Sequence, residues 1–248
     1  MISNPLVSII TVTFNAEEVI EKTMDSLKDQ SFKNFEHIVI DGASKDNTVS
    51  RIQKYELPQT RIISEPDKGL YDAMNKGLRR ATGKYVLFLN AGDAFHHKET
   101  LSNYAGEAER DNDIIYGDTI IVDIEGNKIG DRHLSAPARL SKKSFADGML
   151  ICHQAFMVKK DLTTEYDLKY RFSADYDWCV KCILKADSDK CANLKEVTID
   201  YLSEGLTDKN KWASLRERFR IMKHYYGFLP TLSRHFSFIF RALRRGKV

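Results

Sequence analysis

The segment Lys84–Asp93, KYVLFLNAGD, decides the fold. Tyr85 to Leu89 reads as a short strand, and its unbroken apolar run suits a sheet covered on both faces, the situation of a parallel sheet. The strand runs into a polar turn that ends on a carboxylate, Asp93. Ligands of open α/β sheets bind just beyond the carboxyl ends of the strands, so Asp93 is placed where a metal-held phosphate would sit. A lone Asp at such a turn serves equally well by bonding its own backbone. The neighbouring segments decide between the two roles.

Working outward, the same strand-then-polar-turn pattern recurs. Val7–Thr13 (VSIITVT) is a buried strand followed by Phe14-Asn15, and Ala16–Lys28 has helical spacing through Val19, Ile20, Met24 and Leu27. Phe35–Ile40 (FEHIVI) is a second strand ending at Asp41; the turn Gly42–Asn47 leads to a helix capped by Asn47 or Thr48. Arg61–Ser64 is a third strand, and Gly69–Arg80 a helix with Leu70, Ala73, Met74, Leu78 and Ala81 on one side. Strand alternating with helix at this pace indicates right-handed βαβ units and a mostly parallel sheet. The second half is less regular. Asp113–Tyr116 and Thr119–Val122 read as strands, with Gly126-Asn127 as a hairpin turn before Lys128-Ile129. Leu150–Val158 (LICHQAFMV) reads as another strand, Phe172–Leu184 as a loop becoming a helix, and Glu196–Leu202 as the last strand.

The 248 residues fit one α/β domain with a small C-terminal appendage. No apolar run approaches the ~18 residues needed to span a bilayer, and MISNPLVSIITV reads as a core strand rather than a signal peptide. Four cysteines are too few and too clustered for a disulfide scaffold, which points to a reducing cytoplasm. Cys179 and Cys182 share a helix face, and with Cys191 they do not complete a four-ligand zinc set, so they read as small buried hydrophobes. The formal charge of +3 hides an asymmetry: Lys209–Val248 holds eleven Lys and Arg against one acid, Glu217, which leaves −7 on the first 208 residues. Such a block meets an anionic surface.

Four polar clusters fall at strand ends of one polarity: T-V-T-F-N, D-G-A-S-K-D-N-T, D-K-G and N-A-G-D. Asp41 suits hydrogen bonds from a nucleobase imide or ribose hydroxyls, and Gly42 and Ser44 allow the backbone close to that ligand. Asp46 serves equally as a helix cap. Asp67-Lys68-Gly69 precedes a helix whose N–H groups could face an anion; Lys68 adds a point charge to a diphosphate or is a solvated surface lysine.

VSIITVTFN, then HIVIDGASKDNT, then EPDKGLYDAMNKGLRRATGKYVLFLNAGD resembles the inverting family 2 glycosyltransferases with the GT-A fold. The resemblance covers residues 6 to 95 in order and continues more weakly through ICHQAFMVKK and FSADYDWCVK to about Gly205. It implies a catalytic domain over 1–205, with a nucleotide-sugar half at 1–95 and an acceptor half at 96–205, followed by a basic helical tail at 206–248. It implies that Asp41 contacts the base of a nucleotide-sugar (UDP-, GDP- or dTDP-linked). Thr11, Phe14 and Asn15 would line the nucleotide pocket, and Asp67, Gly69 and Asn75 would shape its floor. The family's metal motif at the fourth strand end is usually D-x-D or D-D-D. Here Asn90-Ala91-Gly92-Asp93 retains only the last carboxylate, so the resemblance assigns Asp93 to Mg²⁺ or Mn²⁺ and leaves Asn90 to orient a water or a sugar hydroxyl.

The family often carries an E-D pair before a helix, with its Asp as general base. Ser173-Ala174-Asp175-Tyr176-Asp177 aligns Asp175 with that place, Ala174 replaces the Glu, and Asp177 competes. His153 would line the acceptor side or serve as a hydrogen-bonded core histidine, and Glu204 lies in a Gly-containing loop suited to closing over the donor. The product implied is an inverted glycoside on a glycan or lipid-linked glycan, made in surface polysaccharide synthesis. A nucleotidyltransferase would carry a glycine-rich basic segment after the first strand, which TVTFNAEEVI lacks. A non-catalytic nucleotide-sugar binding module is the other rival, motivated by Asn90 and Ala174.

The tail pairs Trp212, Leu215, Phe219, Met222 and Tyr226, then Leu229, Leu232, Phe236, Ile239, Phe240 and Leu243, with Arg216, Arg220, Lys223, Arg234, Arg241, Arg244 and Arg245. No nucleic-acid recognition motif accompanies it. Its first helix could pack on the domain or meet a membrane. The last helix reads as an interfacial membrane helix on the cytoplasmic face.

Overall fold

The structure, a computed structural model, describes residues 4–203 and 211–244. The first half is built as the strand ends predict. β1 (Val7–Thr13) is buried along its whole length and pairs in parallel with β2 (Phe35–Asp41) on one side and β4 (Tyr85–Phe88) on the other. β3 (Thr60–Ser64) adds in parallel to β2. The register sets Thr13 beside Asp41 and Asp41 beside Ser64, so three polar strand tips stand side by side. Helices α1 (Ile20–Lys28), α2 (Thr48–Gln53) and α3 (Leu70–Arg80) make the crossovers. Gly77 of α3 lies on β1, where a Cβ would stand 2.4 Å from Ile10 Cγ2; only a glycine lets helix and sheet approach this closely.

Helix α1 begins at Ile20, four residues later than its apolar spacing predicts. The polar turn after β2 intercepts the chain: Ala16 N–H donates to Thr48 Oγ1 (2.8 Å) and Glu17 N–H to Asp46 Oδ2 (3.1 Å). Those bonds tie the two loops that overhang the sheet edge to each other.

The second half extends the same sheet. After the two-residue β5 (Ala94–Phe95) comes α4 (Thr100–Glu109), an element outside the sequence reading. The two strands expected around Gly117 are one, β6 (Ile114–Val122). A Cβ on Gly117 would meet Thr198 Cγ2 at 2.4 Å, so the glycine marks close strand approach, not a break. β7 (Lys128–Asp131) pairs with β6 through the expected hairpin.

Leu150–Val158 is not one strand. His153–Ala155 form a tight 3₁₀ turn, and β8 covers Phe156–Lys159. Ile151 to Val158 are nonetheless all buried, and an apolar run alone does not separate a buried turn from a buried strand. α5 (Ala174–Lys185) follows, then β9 (Cys191–Leu202), which starts five residues earlier than expected because it runs beside β6 from Ile114 onward. Among the described residues the strands form one nine-stranded sheet in the order β3-β2-β1-β4-β8-β6-β9-β5, with β7 beside β6. β8 is antiparallel to β4 and to β6, so strand direction reverses where the two halves meet.

The four cysteines are free, and Cys179 and Cys182 are buried in α5 as small hydrophobes. The tail forms α6 (Lys211–Tyr226) and α7 (Phe228–Arg244). α6 is docked on the body. Glu217 accepts from the N–H groups of Arg171 and Phe172, Tyr225 donates to Asp177 (2.9 Å), and Ile221 and Met222 are buried. α7 buries Thr231 and His235 and pairs Arg234 with Asp147, while Phe228, Leu229 and Phe236 stay exposed. No helix among the described residues is long and apolar enough to cross a membrane.

Candidate active site

Asp41 ends β2 with its side chain wholly buried. Its carboxylate accepts from Ser44 Oγ (2.5 Å), Ser44 N–H (3.0 Å) and Ser64 Oγ (2.6 Å). Ser44 also takes the N–H of Asn15, and Asn15 Oδ1 takes the N–H of Lys45, so the loops after β1 and β2 close on each other. Asn15 holds a left-handed φ of 48°, which Asn tolerates better than most residues. Phe14 projects from this bend with 61% of its surface exposed. Gly42 lies between that ring and Asp67: a Cβ would stand 2.6 Å from Asp67 Oδ2 and 3.2 Å from the Phe14 ring. Asp41, Gly42, Ser44, Phe14, Asn15 and Asp67 are thus brought together at the sheet's carboxyl edge.

The following loop is partly self-capped. Asp67 Oδ1 accepts from Gly69 N–H (2.7 Å), and Asp72 Oδ2 accepts from Lys68 N–H (3.0 Å). Gly69 has φ 115°, a left-handed conformation, with open space where a Cβ would point; Lys68 is exposed. Two other atoms at this edge stand out. Thr13 Oγ1, opposite Asp41, and Asn90 Oδ1, beyond β4, are buried without a hydrogen-bond partner. Buried polar atoms without a partner carry a cost that a bound polar group removes.

Asp93 is buried and accepts from Leu202 N–H (3.0 Å) and from Gln154 Nε2 (3.0 Å). Burial pushes its carboxyl up to about 7, opposed by those two bonds and by Lys22. Among the described residues, no group of three His, Cys, Asp or Glu stands close enough to hold a metal unaided. Oxygen donors from Asp93 and the unpartnered Asn90 nevertheless fit a hard divalent ion that completes its shell with substrate phosphates. A cation would relieve the same burial that now favours a proton.

Asp175 lies half-buried in the first turn of α5. Its Oδ1 accepts from Tyr71 of α3 (3.1 Å) and from Tyr176 N–H (2.9 Å), while its Oδ2 accepts no bond among the described residues. Asp177 faces the other way, buried against Tyr225 and paired with Lys181 at 2.7 Å. It is therefore part of the α6 contact.

Two sequence-based assignments, Thr11 and Asn75, do not stand, and a third residue, His153, takes one of the two roles left open for it. Thr11 lines no pocket: it is wholly buried, donates to Leu89 O (2.7 Å) and meets His37 Nε2 (2.9 Å), so it pins β1 to its neighbours behind the edge. Asn75 clamps Tyr166, with Nδ2 on its carbonyl (3.0 Å) and Oδ1 on its N–H (2.7 Å). Of the two roles open to His153, it fills that of the hydrogen-bonded core histidine: it lies against Phe88 and Trp178, bonded to Tyr166 Oη at 2.6 Å, and burial pushes its imidazole down to about 4. Glu204 lies outside the described residues. Sequence reasoning also passed over Thr13, Ser64, Tyr71 and Gln154. Thr13 and Ser64 were findable as polar last residues of buried strands, and Gln154 as a polar residue inside an apolar run. Tyr71 gave no such signal.

A parallel half-sheet with crossover helices, joined through a direction reversal to a second half that supplies an acidic helix start, is the architecture of a GT-A glycosyltransferase. The chain belongs to glycosyl transferase family 2, whose profile matches residues 8–166, and it is an enzyme of that class. It is 35% identical over 187 residues to the PGL/p-HBAD biosynthesis glycosyltransferase of Mycobacterium bovis, covering 72% of this chain and 70% of that one. Among solved structures, TarS of S. aureus in complex with UDP-GlcNAc superposes with a TM-score of 0.70 at 20% identity, over 94% of this chain and 73% of that one. The mannosyltransferase PcManGT from Pyrobaculum calidifontis, in complex with GDP-Man and Mn²⁺, superposes with a TM-score of 0.63 at 15% identity, over 100% of this chain and 77% of that one.

Proposed function

We propose that this enzyme transfers a sugar from a nucleoside-diphosphate sugar to a hydroxyl of a glycan or lipid-linked glycan, with inversion, in surface polysaccharide synthesis. The observation that carries the reading is the row of strand tips, Thr13, Asp41, Asn90 and Asp93, with two buried oxygens left unpartnered. Residues 1–95 hold the donor and 96–205 the acceptor. Phe14 offers a face for the base, Asp41 and Ser44 its polar edge, and Lys68 a charge for the diphosphate. Asp93 and Asn90 would hold Mg²⁺ or Mn²⁺, which when bound neutralises charge on the departing diphosphate; the mannosyltransferase complex with Mn²⁺ supports that choice.

Asp175 Oδ2 takes the proton of the acceptor hydroxyl. The acceptor oxygen then bonds to the anomeric carbon from the face opposite the diphosphate. The bond from that carbon to the phosphate oxygen breaks, and its electron pair leaves with the nucleoside diphosphate. One displacement inverts the anomeric centre. The test is release of nucleoside diphosphate from a panel of UDP-, GDP- and dTDP-sugars with Mn²⁺, with and without acceptor, followed by NMR of the product's anomeric proton. Loss of release in Asp93→Ala and Asp175→Ala is expected; retention of the donor's anomeric configuration would overturn the mechanism.

The tail bears on location. Helices α6 and α7 carry one acid, Glu217, which is turned inward onto backbone N–H groups, whereas Phe228, Leu229 and Phe236 are exposed in a segment, 209–248, that holds eleven Lys and Arg. That combination suits the anionic inner face of a cell membrane. Full-length protein should sediment with phosphatidylglycerol vesicles and be released by salt, and a variant carrying Phe228→Ser, Leu229→Ser and Phe236→Ser should not sediment.

A further inference from the structure

Asn75, placed at the pocket floor by the family resemblance, and His153, open to an acceptor-side or a core role, converge in the structure on Tyr166. Asn75 grips its backbone at both the carbonyl and the N–H, and His153 Nε2 meets its hydroxyl at 2.6 Å. The Tyr166 ring stacks on Trp178 at 5.2 Å and 11° and on Tyr71 at 5.6 Å and 20°. Phe88, the last residue of β4, packs edge-on against both Tyr166 and Trp178. Tyr71 is the outermost member of this aromatic pile and is only 7% exposed, yet its hydroxyl leaves the apolar layer to reach Asp175 Oδ1 at 3.1 Å.

We propose that Tyr71 is a positioning residue for the base: it pins Oδ1 of Asp175 and leaves Oδ2 as the oxygen that meets the acceptor hydroxyl. This rests on the reading of Asp175 as the base. Three features suit Tyr71 to the role. The stack on Tyr166 holds one face of the phenol ring and the residue is buried, so little rotamer freedom remains to be lost at each turnover. Burial and the neighbouring Asp175 charge raise the phenol well above its usual range, so the hydroxyl remains a donor across working pH. Finally, Tyr71 is the second residue of α3, directly after the Asp67-Lys68-Gly69 loop on the donor side, whereas Asp175 opens α5 on the acceptor side. One hydrogen bond spanning 104 residues of sequence therefore fixes the base relative to the helix that follows the donor loop. A base placed by geometry needs such a tether, because a displacement of about 1 Å costs on the order of a hundredfold in rate.

Tyr71→Phe keeps the stacked ring and removes only the tether. With whichever of UDP-GlcNAc, UDP-glucose and GDP-mannose the wild type turns over in the presence of Mn²⁺, the variant should lose roughly tenfold or more in kcat, the scale of a hydrogen bond to a charged group. Its donor KM should stay within about twofold, the pattern of an interaction that matters in the transition state. A crystal structure of the variant should show the Asp175 carboxylate spread over several rotamers. A kcat within twofold of wild type, a loss appearing in donor KM alone, or an unmoved, singly ordered Asp175 would each overturn the proposal. Asp175→Asn separates the two layers: full activity there removes the base assignment itself, whereas an inactive Asp175→Asn beside an unaffected Tyr71→Phe removes only the tether.

Discussion

Asp175 and Asp177 stand two positions apart on α5 and meet opposite surroundings. Asp175→Asn should lower kcat by about 10²–10⁴, the range of general base catalysis, with an unchanged melting temperature. Asp177→Asn should do the reverse: it loosens the Tyr225 and Lys181 contacts, costs about 1–3 kcal/mol in denaturant unfolding and leaves kcat within a few fold. Equal kinetic damage in both would show that the helix, not one carboxylate, carries the role. Gly42→Ala tests the donor side in the same way. The added Cβ must displace Asp67 Oδ2 from 2.6 Å, so donor KM should rise several fold while unfolding barely changes. The sequence makes Asp41 and Asp93 legible as strand-end carboxylates, and the register sets Asp41 among the other polar tips. Thr11 and Asn75 mislead for one reason: near a strand end or on a helix, a residue's polarity does not say whether it faces the ligand or the layer behind it. The position of Tyr166, 91 residues away, decides that for Asn75.

At the scale of elements, α6 shows how a helix that looks like a separate appendage becomes part of the body. Glu217 receives two backbone N–H groups just before α5, and Ser214 meets Ser173, the residue that precedes that helix. Glu217→Ala leaves both N–H groups near the surface without their carboxylate. The expected loss is about 1–3 kcal/mol in chemical denaturation, and a matching drop in kcat is expected because the loop leads directly into Asp175. An unfolding curve identical to wild type would show that the helix is held by its apolar face alone. The strand–helix alternation of the first half was readable because each crossover repeats one period and each strand is a continuous apolar run. The second half was harder for physical reasons. Gly117 reads as a break but marks close approach of β9, the 3₁₀ turn at His153–Ala155 is as apolar as a strand, and α4 lies in a stretch whose apolar spacing is diluted by small and polar residues.

For the whole molecule, three buried titratable groups set opposing demands on pH. His37, bonded to Thr11 and Thr60, is pushed down to about 3 by burial, and His153 to about 4. Both are neutral in the fold, whereas the unfolded chain protonates each near 6.5, so each removes about 1.4 kcal/mol of stability per pH unit as pH falls from 6.5 toward 4. Asp93 acts in the opposite direction: raised to about 7, it holds a proton in the fold that the unfolded chain releases above about 4, so it favours the fold as pH falls from 7 toward 4. Two protons are taken up on unfolding against one released. Metal-free protein should therefore lose stability on acidification from pH 6.5 to 4.5 with a slope near one proton, about 1.4 kcal/mol per pH unit. Urea titrations with a chelator present read this slope directly. His37→Gln keeps hydrogen-bonding capacity and removes one histidine, so its slope should fall toward zero. Asp93→Asn removes the opposing group and should steepen the slope toward two protons. Opposite shifts in the two variants require that the histidines are held neutral and the carboxylate protonated by burial; shifts of the same sign would show that at least one of the three is ionised differently in the folded protein.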